Sequence, residues 1–170
     1  MDSPISNCSA QEYLKELSHS SAIFVGLGNE LKGDDGAGVF LVRELSGVFS
    51  HQNYSHPPGL PSWKFLIAGV APENFLGKLS NAEIVVFVDA CYFGGKAGEI
   101  AFINPEKLKG YGFTHSFSPA LIEYLNTLGK KVLFLGIEPK NLDLGEEVSF
   151  EIKKGIEKFI EDIKECMNLP

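Results

Sequence analysis

Five apolar runs punctuate the chain: AIFV at 22–25, WKFLIAG at 63–69, EIVVFVDA at 83–90, GEIAFIN at 98–104 and KVLFLGIEP at 131–139. Each is short and bounded by glycine, proline or polar residues, the pattern of buried strands. EIVVFVDA is apolar almost throughout, so it predicts a central strand covered on both faces. Between the runs the period changes. From Asp34 onward Val39, Phe40, Val42 and Leu45 recur at helical spacing up to Gly47, which predicts an amphipathic helix. PENFLGKLS gives a short helix with Pro72 at its first position, SPALIEYLNTL another, and SFEIKKGIEKFIEDIKEC a long closing one. GEIAFIN lies close enough to EIVVFVDA to pair with it antiparallel through YFGGKA.

Strands alternating with helices predict a three-layer α/β/α domain around a mostly parallel, mixed, five-stranded twisted sheet. The domain occupies 22–170. Residues 1–21 are polar, carry a possible short helix in AQEYLKELS, and read as an N-terminal extension. HQNYSHPPGLPS is a turn-rich loop with three prolines. In such sheets ligands gather beyond the carboxyl ends of the strands. That rule selects the loops after Gly26, Ile67, Asp89 and Ile137.

Composition narrows the function. The 170 residues are 44% hydrophobic and 22% charged, with a net charge of −7. A chain of this size buries roughly 70% of its unfolded surface and needs no disulfides. Its three cysteines, Cys8, Cys91 and Cys166, form no CxxC pair and read as reduced thiols. No dense basic run invites nucleic acid or an anionic membrane. No apolar stretch approaches the roughly 20 residues of a membrane span, and the N-terminus lacks the n- and h-regions of a signal peptide. The expectation is a cytoplasmic, monomeric protein.

The stretch GLGNELKGDDGAG (26–38) joins the first strand to the first helix. A glycine-rich corner before a helix suggests a bound phosphate. Asp34 and Asp35 stand where that phosphate would sit and repel it, so a cation is the better guest. Two adjacent acids point about 100° apart around a helix: if Asp34 caps the helix, Asp35 faces the crevice. The alternative is two ordinary first-turn acids. Asp89 closes a fully apolar strand, where a carboxylate is costly unless paired or metal-bound; the alternative is an acceptor for the next loop's N–H groups. His115 precedes a helix, where imidazole is held neutral as a ligand or base, although a lone loop histidine is more often solvated. His19, His51 and His56 lie in polar segments. Cys91 pairs with His115 as a nucleophile–base candidate, or is a small packing residue. Asp35, Asp89 and His115 together form an O, O, N set suited to a divalent transition ion, with coordination positions left open.

GLGNELKGDDGAG, VDACYFGGKAGEI, THSFSPALIEYL and LFLGIEP, in this order from about Ile23 to Ile163, resemble the motifs of the NiFe-hydrogenase maturation endopeptidases. AGVAPENFL leans toward the subgroup serving formate-hydrogenlyase-type hydrogenases. The resemblance implies removal of a C-terminal peptide from a hydrogenase large-subunit precursor after nickel insertion. It further implies that Asp35, Asp89 and His115 contact nickel supplied by that precursor, as the catalytic and metal-contacting residues. Against the shorter family pattern the chain adds its polar N-terminal segment and a long 47–62 loop. Two other readings are a nickel carrier without proteolytic activity and a cysteine hydrolase using Cys91 and His115.

Overall fold

The structure, a computed structural model, describes residues 7–50, 62–103, 112–114 and 118–168, with the side chains of 7–9 and 50 left aside. Six strands form one mixed sheet: β1 (Ala22–Leu27), β2 (Trp63–Gly69), β3 (Ile84–Tyr92), β4 (Ile100–Ile103), β5 (Gly112–Phe113) and β6 (Lys131–Ile137). The order is β2-β1-β3-β6-β4, with the two-residue β5 pairing only with β3. β2, β1, β3 and β6 run parallel, while β4 is antiparallel to β6 and β5 antiparallel to β3. The sheet therefore holds one strand more than the five expected, because two residues of the 112–114 segment bond to the end of β3.

β3 lies at the centre, as its apolar pattern predicts. Ile84, Val86 and Val88 face one core and Val85, Phe87 and Cys91 the other. The first core lies under α1 (Asn7–Leu17), α2 (Ala37–Ser50) and α5 (Phe150–Cys166). The second lies under α3 (Leu76–Leu79) and α4 (Pro119–Thr127). On α5 Ile152, Ile156, Phe159, Ile160 and Ile163 are buried, a single apolar stripe at helical spacing.

Two expectations are corrected. GEIAFIN pairs with β6, not with EIVVFVDA. Both edges of β3 are already taken by β1 and β6, so the chain after Tyr92 must cross β6 to find a free edge. The crossing is stitched by Glu138, just past β6. Its buried carboxylate Oε2 accepts the N–H groups of Phe93 (2.8 Å) and Gly95 (3.1 Å). Its backbone N–H donates to Glu99, and its carbonyl accepts Gly98 N–H, both at 2.9 Å. The second correction is the first long helix, which runs through Gly47 to Ser50.

The segment read as an N-terminal extension supplies Leu14 and Leu17 to the core. The Leu17 carbonyl accepts a 2.9 Å hydrogen bond from the Trp63 indole, and Tyr13 packs on Phe102 at 4.9 Å between ring centroids. Most of the proline-rich loop, 51–61 with His51 and His56, lies outside the described residues.

From β1 the chain crosses by α2 to β2 on one side. After β3 it passes through β4 and β5 and then by α4 on the other side to β6. The crossovers part between β1 and β3, so the crevice beyond their carboxyl ends is the topological switch point where α/β sheets bind ligands.

Candidate active site

The GDDG turn (Gly33–Gly36) after β1 is a 3₁₀ turn that leads straight into α2. Glycines let it press against the sheet. A Cβ on Gly38 would stand 2.1 Å from the Val88 carbonyl oxygen, and one on Gly28, whose φ is +126°, 1.8 Å from the Asp35 carbonyl oxygen. Gly38 thus lets α2 pack closely on β1 and β3, and Gly28 lets the turn fold back onto the end of β1.

The two acids of the turn diverge, as their angular separation requires. Asp34 is fully buried and does not cap its own helix, which corrects the sequence expectation. It reaches instead to the segment between β6 and α5. Its Oδ2 accepts the N–H groups of Lys140 (2.8 Å) and Asn141 (2.9 Å) and the Ser149 hydroxyl (3.0 Å), and its Oδ1 accepts Ser149 N–H at 2.7 Å. Ser149 is the N-cap of α5, so the carboxylate of Asp34 lies at the positive end of that helix's dipole. Such charge-assisted bonds are the strong kind. The result is a structural clamp.

Asp35 turns the other way. It is 3% exposed, and its Oδ2 accepts the Asn29 backbone N–H at 3.1 Å. It lines an open crevice of about 380 Å³ together with Asn29, Lys32, Val70, Tyr92 and Thr114. Asp89, fully buried near the end of β3, accepts a hydrogen bond from the Thr114 hydroxyl through Oδ1 at 3.1 Å. The same threonine thus lines the crevice of Asp35 and holds Asp89. β5 delivers it there: Phe113 pairs with Cys91, and Thr114 N–H donates to the Ala90 carbonyl at 3.1 Å. His115 is the next residue in the chain and lies outside the described residues. The structure therefore brings Asp35 and Thr114 to one crevice, with Asp89 held by Thr114 and not itself part of the lining, and does not describe the imidazole.

Sequence reasoning missed Thr114 as a positioning group and Glu138 as the stitch behind the strand end. A threonine directly before a candidate ligand is a usable signal for the first. The second had only its place after a strand, since its partners are backbone groups distant in sequence. Of the two readings of Cys91, nucleophile or packing residue, its burial supports packing. It is fully buried in the core under α4. Burial, with the Asp89 and Glu138 carboxylates nearby, pushes its thiol up to about 12, so no useful thiolate exists at neutral pH. A second concavity, about 920 Å³ between α1, α5 and β4, contains neither Asp35 nor Asp89. No helix among the described residues is long and apolar enough to cross a membrane.

A family model described as hydrogenase maturation protease matches residues 41–166. The chain is 28% identical over 151 residues to a putative hydrogenase maturation protease of Methanocaldococcus jannaschii, covering 84% of this chain and 88% of the relative. It is 29% identical over 140 residues to the hydrogenase 3 maturation protease of Escherichia coli K12, covering 79% and 83%. A crystal structure of a NiFe hydrogenase maturation protease from Thermococcus kodakarensis superposes with a TM-score of 0.72. It is 29% identical, with 92% of this chain and 99% of that one covered.

Proposed function

Since the chain belongs to the hydrogenase maturation protease family, we propose that it removes the C-terminal extension of a NiFe-hydrogenase large-subunit precursor once that precursor carries nickel. Asp35, Asp89 and His115 are the groups that read the metal. One observation carries the reading: Asp35 and Thr114 line the same crevice, and Thr114 holds Asp89 by its hydroxyl and precedes His115 in the chain.

The nickel belongs to the substrate, whose own thiolates hold it. The enzyme adds hard donors that a thiolate-bound borderline ion accepts at open positions. Asp35 is steadied by Asn29 N–H and Asp89 by Thr114, so both carboxylates are aimed before the substrate arrives, as a metal contact requires. Hydrolysis adds water across the scissile C–N bond and leaves a carboxylate and an amine. Asp35, Asp89 and His115 would contact the substrate's ion, which would supply Lewis-acid polarisation of the carbonyl or activation of the water.

Among the described residues the crevice shows no long row of subsites, so it gains little from an extended peptide alone. Discrimination therefore rests on the metal contact, worth on the order of 100-fold or more at 1.4 kcal/mol per decade. The experiment is incubation of the protein with nickel-loaded and nickel-free precursor, with a chelator control, followed by mass measurement of the large subunit. Loss of a C-terminal fragment only from the loaded form supports the reading. Equal rates would sink it.

A further inference from the structure

Large apolar side chains exposed singly on a protein surface need no explanation, but adjacent ones held on fixed backbone do. Leu31 is 70% exposed and Leu144 77%. They stand on different segments joined at that point by a hydrogen bond from Gly145 N–H to the Leu31 carbonyl at 2.8 Å. Neither segment is loose. Gly33 N–H donates to the Glu146 carbonyl (3.0 Å) and Asp34 N–H to the Asn141 carbonyl (2.8 Å), beside the four hydrogen bonds accepted by the Asp34 carboxylate. The pair also adjoins the crevice, since Lys32 and Leu142, one and two residues away, line it with Asp35.

We propose that Leu31 and Leu144 form a specificity-determining contact for the folded body of the protein substrate, set beside the crevice that receives its metal and scissile bond. This rests on the reading given above and names the partner surface it needs. A short extension peptide inside the crevice would leave these side chains in water, whereas a folded precursor docked over the crevice covers them. Exposed Asp143 and Glu146 flank Leu144, and the chain as a whole carries −7. The complementary face is apolar with basic neighbours, because an acidic one would be repelled. The Asp34 clamp fixes the pair in advance, so docking need not order a mobile loop, a cost that otherwise weakens binding.

The test is the double variant Leu31→Lys, Leu144→Lys, assayed on the nickel-loaded large-subunit precursors of the same organism, each in turn. Leu128→Lys, at the opposite end of the sheet after α4, is the control and keeps wild-type kinetics. The expected result is a KM for the cleaved precursor raised about tenfold or more, equivalent to about 1.4 kcal/mol, with the loss in KM and not in kcat. Both sites are exposed, so melting should match wild type; if the double variant melts lower, Leu144→Gln alone carries the measurement. A wild-type protein that leaves every precursor intact overturns the proposed function and this inference with it. A wild type that cleaves, beside a double variant with unchanged KM or a loss confined to kcat, overturns the inference alone.

Discussion

Asp34 and Asp35 are neighbours in sequence and almost equally buried, yet they belong to two different regions of the molecule. On the Asp34 side of the corner the carboxylate accepts hydrogen bonds from within the fold, from Lys140, Asn141 and Ser149. On the Asp35 side the carboxylate lines an open crevice and receives the Asn29 N–H. A buried charge is tolerated only when hydrogen bonds or a counter-ion replace water. Asp34 meets that requirement with its own chain. Asp35 accepts one N–H and faces the crevice, and under the proposed function a guest supplies the rest. Burial alone does not separate architecture from chemistry; the source of the compensating contacts does.

The comparison breaks most sharply at the crevice. Asp89→Asn should reduce precursor processing by at least about 100-fold, the scale of a lost charge contact at a reacting centre. Asparagine can still accept from Thr114, so the melting temperature should stay near wild type. Mass spectrometry of the precursor and a thermal melt check the two halves, and near-normal processing would remove Asp89 from the site. Asp34→Ala should do the reverse in kind. It strips four donors of their acceptor, and hydrogen bonds to charged groups contribute roughly 1.5–3 kcal/mol each but not additively. A loss of about 3 kcal/mol in denaturant unfolding is expected. A cost below about 1 kcal/mol would mean that water replaces the carboxylate and that the clamp is not structural.

Much of this division was written in the sequence, and the missing part has a physical cause. Strand and helix periods placed β1, β2, β3, β6 and the helices, because burial on both faces leaves a continuous apolar run and burial on one leaves a 3.6-residue stripe. The same periods were silent about which edge β4 would choose. That depends on β3 having no free edge, a property of the assembled sheet. Asp89 stood out because an acid closing an apolar run is conspicuous, and Asp35 because it is the second of two acids in a glycine-rich corner. The role of Asp34 was misread as a local cap because its partners lie more than 100 residues away in the chain. Glu138 escaped notice for the same reason: a carboxylate that holds distant backbone groups has no local pattern.

Thr114→Val refines the crevice side at smaller cost. The substitution keeps the shape and removes the hydroxyl that donates to Asp89. A group that only orients a metal-contacting residue typically accounts for about 10- to 100-fold in affinity or activity, so a drop of about tenfold in processing is expected, with restoration by Thr114→Ser. Failure of serine to restore activity would show that the methyl packing, not the hydroxyl, is what matters. An unchanged rate for valine would leave Asp89 without this support.

Glu30, the third acid of the same corner, supplies the smallest effect and the cleanest control. Its carboxylate pairs with Arg43 at 2.6 Å, but both side chains are about half exposed, 49% and 53%. The Arg43 hydrogen bond, against some desolvation, holds Glu30 below the usual carboxylate value. A lowered folded-state pKa means that the contribution is present above the unfolded value near 4.3 and fades as the pH falls through the folded one. At neutral pH it is therefore fully present, yet exposed ion pairs contribute only about 0–1 kcal/mol because water and salt screen them. Arg43→Ala should cost no more than about 0.5 kcal/mol, shrink further in 0.5 M salt, and leave precursor processing untouched. Denaturant unfolding at pH 7 and pH 3.5 checks it, with the difference from wild type expected to narrow at the lower pH. A cost comparable to Asp34→Ala would mean that exposure is a poor guide here. The contrast between the two buried acids would then need a cause other than where their partners come from.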